Sequence, residues 1–213
     1  MIFADRVEAG ERLGEGLRSL AGSNAVVLAI PRGGVIVGEA AARALGAPLD
    51  VVVPRKIGAP GNPELAIGAV APGIRVLDRR MVGGLGVSDA YLDREFAAQE
   101  AEIERRQRAY RQGRPPQPVE GRVAIVVDDG VATGSTAIAA LRWARDQGAE
   151  RVVLGVPVAP PQSLERLRAE ADDVVVLDTP SPFFAVGEWY RDFDQTTDGQ
   201  VVEALARSAG TRA

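Results

Sequence analysis

The sequence predicts an α/β fold, a parallel sheet flanked by helices, and three observations carry that expectation. Short apolar runs of strand length recur, and amphipathic or small-residue stretches of helix length separate them, so strand and helix alternate along the chain. Connections of that length join neighbouring parallel strands and cannot close a hairpin. With 213 residues, 46% of them hydrophobic, the chain is long enough for one α/β domain with a full core. No continuous apolar run is long enough to cross a membrane.

The elements follow in order. Val7, Leu13, Leu17 and Leu20 mark a first amphipathic helix. AVVLAI (25–30), between Asn24 and Pro31, reads as a buried strand. Gly33 and Gly34 then open the helix VIVGEAAARAL, which Gly46 closes, and LDVVVP (49–54) is the next strand. Residues 55–86 are rich in Gly and Pro, with AIGAV and IRVL flanking Ala-Pro-Gly as a hairpin, and read as a mobile loop and ribbon. Ser88 caps a long, densely charged helix, expected at the periphery over 88–112 and stopped by Gly113 with Pro115 and Pro116. RVAIVV (122–127) is a strand, followed by a glycine-containing turn and a helix over about 135–147. RVVLGVPV and DVVVL are further strands around the helix QSLERLRAE, and Thr197 with Gln200 has capping-box spacing for a last helix. The whole, 1–213, reads as a single domain with a core over about 22–178 and an aromatic-rich segment over about 179–195.

Composition narrows the chemistry. Without cysteine there are no disulfides, thiolate metal sites or thiol nucleophiles, and without histidine there is no Ser-His-Asp triad. Carboxylates, hydroxyls, Arg, Lys and backbone amides remain. A formal charge of −4 and a pI near 5.1 argue against a general nucleic-acid binder. The first residues carry Asp5, Arg6 and Glu8 where an export signal would be apolar, so the cytoplasm is the expected location. Of 25 basic residues only Lys56 is lysine, which singles out a place where a compact, flexible ammonium suits better than a guanidinium; an ordinary surface residue is the competing reading.

The densest chemical signal is VAIVVDDGVATGSTAIAAL (123–141). Asp128 and Asp129 stand at the end of a buried strand; Gly130, Val131, Ala132, Thr133 and Gly134 form a turn; Ser135 and Thr136 open a helix. Open α/β sheets receive ligands at the carboxyl ends of their strands, and a helix N-terminus holds a phosphate with its free amides and dipole. The two acids repel that phosphate at close range, so their partners lie further along the ligand, as vicinal hydroxyls or a cation. A sugar phosphate satisfies both ends. A Walker loop is absent, because Ser135 stands where its lysine should follow the glycine, and no G-x-G-x-x-G follows this strand.

VVDDGVATGST looks like the motif that binds 5-phosphoribosyl 1-diphosphate (PRPP) in type I phosphoribosyltransferases, and the resemblance extends over about 25–158. It implies that Asp128 and Asp129 hold the ribose 2- and 3-hydroxyls and that residues 133–136 hold the 5-phosphate. Pro31, Arg32, Gly33 and Gly34 resemble the family's diphosphate loop, which meets the leaving group through Mg²⁺ and often contains a non-proline cis peptide, here carried to the bond between Pro31 and Arg32. Asp128 and Asp129 would reach the metal indirectly, through PRPP and water. Residues 55–60, with Arg55 and Lys56, resemble the family's flexible catalytic loop. Their R-K-x-G-x-P lies close to an adenine-enzyme form but brings the proline one residue early, and Glu64 in the same loop would act towards the base. A solvated loop residue is the favoured reading of Glu64 on its own.

The family's variable hood would be the 179–195 segment, with Phe183 and Phe184 stacking on a nucleobase; packing of the hood onto the sheet accounts for the same aromatics. In 6-oxopurine enzymes an aspartate precedes the T-G of the loop, whereas Ala132 stands here, so hypoxanthine and guanine are disfavoured. The resemblance thus implies a type I phosphoribosyltransferase fold, with a flexible hairpin loop and a small hood. It also implies transfer of the phosphoribosyl group to a nucleobase-like nitrogen in nucleotide salvage. It leaves a homodimer open, with the charged helix from Ser88 as its surface. The rival is a non-catalytic PRPP sensor on the same fold.

Overall fold

Apolar residues that alternate strictly between two faces build the central sheet. The structure, a computed structural model, describes residues 1–210. Strands β1 (Ala25–Ala29), β2 (Leu49–Val51), β6 (Val123–Val127), β7 (Arg151–Val158) and β8 (Asp173–Asp178) form a five-stranded sheet in the order β2-β1-β6-β7-β8, every pair parallel. Ala25, Val27, Ala29, Ile125, Val127 and Val153 feed one core, while Val26, Leu28, Ala124, Val126, Val152 and Leu154 feed the other. Both faces are covered, which is why β1 and β6 at the sheet's middle are apolar throughout.

Helices α1 (Arg6–Gly16), α2 (Gly33–Leu45) and α7 (Asp198–Gly210) belong to the first core, and α5 (Ser135–Asp146) with α6 (Pro161–Arg168) to the second. The crossovers β1-α2-β2, β6-α5-β7 and β7-α6-β8 leave the carboxyl ends of β2, β1 and β6 side by side. The expected capping box forms: Thr197 N–H donates to Gln200 Oε1 at 2.8 Å, and Gln200 N–H donates to Thr197 Oγ1 at 3.2 Å.

Residues 55–86 differ from the expected loop and two-stranded ribbon. They hold a three-stranded antiparallel sheet of β3 (Arg55–Ala59), β4 (Asn62–Ala71) and β5 (Ile74–Leu77), followed by the short helix α3 (Arg79–Gly84). Ile57, Ile67 and Val70 are buried in the first core, Ala69 and Val76 in the second. The expected hairpin is the β4-β5 pair, turning at Gly73 with φ 75°. The extra strand β3 pairs with β4 through shifts of register at Gly58, the kind of irregularity that hides a strand from periodicity.

Helix α4 (Asp89–Arg111), capped by Ser88, is less peripheral than its charge predicts. Leu92, Phe96, Ile103 and Tyr110 turn inward and cover the three-stranded sheet and α7. Among the described residues, no helix is long and apolar enough to cross a membrane.

Candidate functional site

Three loops at the carboxyl ends of neighbouring strands enclose a cleft of about 740 Å³. From β1 come Pro31, Arg32 and Gly33, and from beyond β2 come Arg55 and Lys56. From β6 come Asp128, Asp129, Gly130, Val131, Ala132, Thr133, Gly134 and Thr136. Glu64, on β4, lines the same cleft. Gly34 lies just behind it against Asp128, and Ser135 opens α5. Sequence positions more than a hundred residues apart are thus brought to one place.

Backbone geometry readies two helix ends for an anion. Gly134 caps α5 in the left-handed region, φ 84°, and no side chain caps that helix. Arg32 caps α2, again without a side-chain hydrogen bond. By contrast α1, α3 and α4 are capped by Asp5, Asp78 and Ser88. The first amides of α2 and α5 therefore remain open for a ligand, with the favourable end of each dipole behind them. The peptide between Pro31 and Arg32 is cis.

The acid pair is held tightly. Asp129 N–H donates to Asp128 Oδ1 at 2.9 Å, and the Tyr190 hydroxyl donates to the Asp129 carbonyl. Asp129 Oδ2 accepts from Arg6 Nε at 2.8 Å. Burial, and then the charge of Asp129, push the Asp128 carboxyl well above the ordinary carboxylate range. Burial, followed by the charge of Asp129, likewise raises the Tyr190 hydroxyl far above its usual value, so it stays protonated and a donor. Gly33 and Gly34 pass so close to the pair that a β-carbon on Gly34 would stand 2.8 Å from Asp128 Cα.

On the opposite wall, Arg55 Nε donates to Gln99 Oε1 at 2.9 Å, and the Tyr91 hydroxyl donates to the Gly58 carbonyl at 2.9 Å. Tyr91, Glu95 and Gln99 line the cleft together, four residues apart on one face of α4. The sequence reading missed them, because a densely charged helix carries no mark of which polar face meets a site. Burial lowers the Arg55 guanidinium below its ordinary value, with the nearby charge of Arg106 adding to the effect.

The hood departs from expectation in its detail. Phe183 and Phe184 are not among the residues lining the cleft: Phe183 stacks on Trp189 with ring centroids 6.2 Å apart, and Phe184 is 79% exposed. The hood residue at the cleft is Val186, seated on Gly130, where a β-carbon would come within 2.5 Å of Val186 Cγ1. Residues 3–4 pair with 189–192 through main-chain bonds, so the chain's start and the hood are one unit.

An open parallel sheet carrying an acid pair, a T-G-S-T turn and a second glycine loop along its carboxyl edge is the architecture of the type I phosphoribosyltransferases. The chain belongs to the phosphoribosyl transferase domain family, whose model matches residues 7–191. It is 46% identical to TT1426 from Thermus thermophilus, whose crystal structure superposes with a TM-score of 0.83 over 97% of this chain and 99% of that one. Curated proteins from two Mycobacterium tuberculosis strains, provisionally named phosphoribosyl transferases, are 48% identical over 208 residues. That match covers 97% of this chain and 47% of theirs, so the chain spans about half the length of the curated relatives it matches. A uracil phosphoribosyltransferase from Bradyrhizobium diazoefficiens is 41% identical over 61 residues, 29% of each chain.

Proposed function

We propose that this chain transfers the 5-phosphoribosyl group of PRPP to a nucleobase-like nitrogen and releases diphosphate. One observation carries the reading: the acid pair and the turn that follows it line a single cleft together with Arg32, Gly33, Arg55 and Lys56. In this reading Asp128 and Asp129 accept the ribose hydroxyls. The amides and hydroxyls of residues 133–136 take the 5-phosphate. The 31–34 loop, Arg55 and Lys56 take the diphosphate.

The reaction breaks the bond from C1 to the diphosphate oxygen and forms one from C1 to the acceptor nitrogen, which gives up its proton. No protein nucleophile is required, in keeping with a chain that has neither cysteine nor histidine. Arg32, Arg55 and Lys56 would stabilise the charge that develops on the leaving group. Glu64, which lines the same cleft, would act towards the acceptor. The β3-β4 turn, with Gly58 and Gly61 lining the cleft, would close over the ribosyl centre and exclude water.

Among the described residues no cluster of three or more His, Cys, Asp or Glu would cage a metal. Two adjacent carboxylates beside the place of a diphosphate do fit Mg²⁺, which takes a few carboxylate contacts and completes its shell from phosphate oxygens and water. Asp128 and Asp129 would hold it indirectly, and when bound it would neutralise charge on the diphosphate.

The test is diphosphate release from PRPP and Mg²⁺ across a panel of purine and pyrimidine bases, with uracil included because of the short uracil-enzyme match. Release with one base establishes transfer and names the acceptor. Saturable PRPP binding without release for any base would move the assignment to a sensor.

A further inference from the structure

Asp129 reaches the cleft already engaged, and its partner Arg6 comes from the first turn of α1, outside every motif that points to the site. The ion pair is largely shielded from water, the two side chains being 11% and 16% exposed. Arg6 is fixed from behind as well: its Nη1 donates to the Asp194 carbonyl at 2.8 Å, and its guanidinium lies 3.8 Å over the Phe193 ring. One planar fork therefore grips the acid with Nε and the hood backbone with Nη1 while stacking on a hood aromatic. A lysine ammonium would not reproduce that arrangement.

The transfer chemistry above makes no use of Arg6, so its function has to be read from the geometry. A carboxylate that must accept a sugar hydroxyl needs one oxygen aimed at the sugar, and a free Asp side chain turns about its last bond with little hindrance. Here Arg6 holds Oδ2, in space that is open only because residue 33 is a glycine. Neither contact takes Oδ1. Resting on the PRPP reading, we infer that Arg6 is a positioning residue: through Asp129 it fixes which carboxylate oxygen faces the ribose, and through Phe193 and Asp194 it makes that orientation depend on a seated hood.

A double-mutant cycle tests this, because a residue that acts through Asp129 has nothing to act on once Asp129 is altered. PRPP affinity with Mg²⁺ is measured by calorimetry for the unaltered chain, Arg6→Gln, Asp129→Asn and the double variant. Arg6→Gln should weaken binding about tenfold in the unaltered background and change it little further in Asp129→Asn. Arg6→Lys, which keeps the charge and loses the fork, should recover part of the loss. Equal losses from Arg6→Gln in both backgrounds would overturn the inference, since a merely structural arginine hurts both alike. Should Arg6→Gln fail to fold, Arg6→Lys runs the same cycle.

If the unaltered chain binds no PRPP, the ligand reading falls, and the Tm values of the same four chains decide on Arg6. Non-additive Tm shifts support its hold on Asp129, and additive ones overturn it.

Discussion

Asp129 Oδ2 lies 1.9 Å from the point that a β-carbon on Gly33 would occupy. The glycine is required by close approach, for its own φ is not in the left-handed region. Gly33→Ala must therefore displace the 31–34 loop or the Asp129 carboxylate, and Arg6 Nε stands only 2.6 Å from the same point. An ångström of misplacement at a reacting site costs on the order of a hundredfold, so calorimetry should show PRPP affinity falling by roughly tenfold to a hundredfold. Gly83→Ala is the control: a β-carbon there meets nothing within 4 Å, and the affinity should not change.

Asp128 should lower the stability of the resting protein at neutral pH. Its carboxyl titrates higher when folded than when unfolded, so its contribution is favourable in acid and is lost as pH rises through the raised value. Asp128→Asn keeps the oxygen that accepts from Asp129 N–H and removes the charge. A scanning measurement at pH 7.5 should show Tm rising by about 2–4 °C, with the gain shrinking as pH falls towards the ordinary carboxylate value of 3.8. A fall in Tm at pH 7.5 would contradict this, as would a gain independent of pH.

Asp50 is the complementary case, an acid that holds the fold and stands away from the cleft. It is 5% exposed and accepts from Arg111 Nε at 3.0 Å, Arg111 Nη2 at 3.2 Å and Gln117 N–H at 2.8 Å. It thereby fastens the end of α4 and the following loop to the edge strand β2. Removing one partner of a buried pair leaves the other charge uncompensated, at about 3–5 kcal/mol. Asp50→Ala should lose stability of that order in urea titration while PRPP affinity at low temperature stays within twofold, about 0.4 kcal/mol.

Much of the fold was legible because the central strands announce themselves. RVVLGVPV read from the sequence is β7 residue for residue, and the 25–30 and 122–127 runs differ from β1 and β6 by a single residue. Buried on both faces, such strands need no alternation to be recognised. Strand β3 was illegible for the opposite reason: RKIGA mixes charge, glycine and one buried isoleucine, and it pairs irregularly at a cleft edge.

The candidate site was legible where the chain is contiguous, in the 128–136 and 31–34 loops. Arg6 was not, since nothing in the first turn of a helix tells of an acid 123 residues away. The hood was read by residue type. Large aromatics drew the eye to Phe183 and Phe184, whereas backbone packing on Gly130 brings the smaller Val186 to the cleft.

The most direct test of the account is titration of PRPP, with Mg²⁺, into the unaltered chain and into Asp128→Asn/Asp129→Asn. Saturable binding that the double substitution abolishes, while the fold survives by circular dichroism, is the predicted result. Absence of binding to the unaltered chain, or equal affinity in both proteins, would contradict the assignment of this cleft to a phosphoribosyl diphosphate.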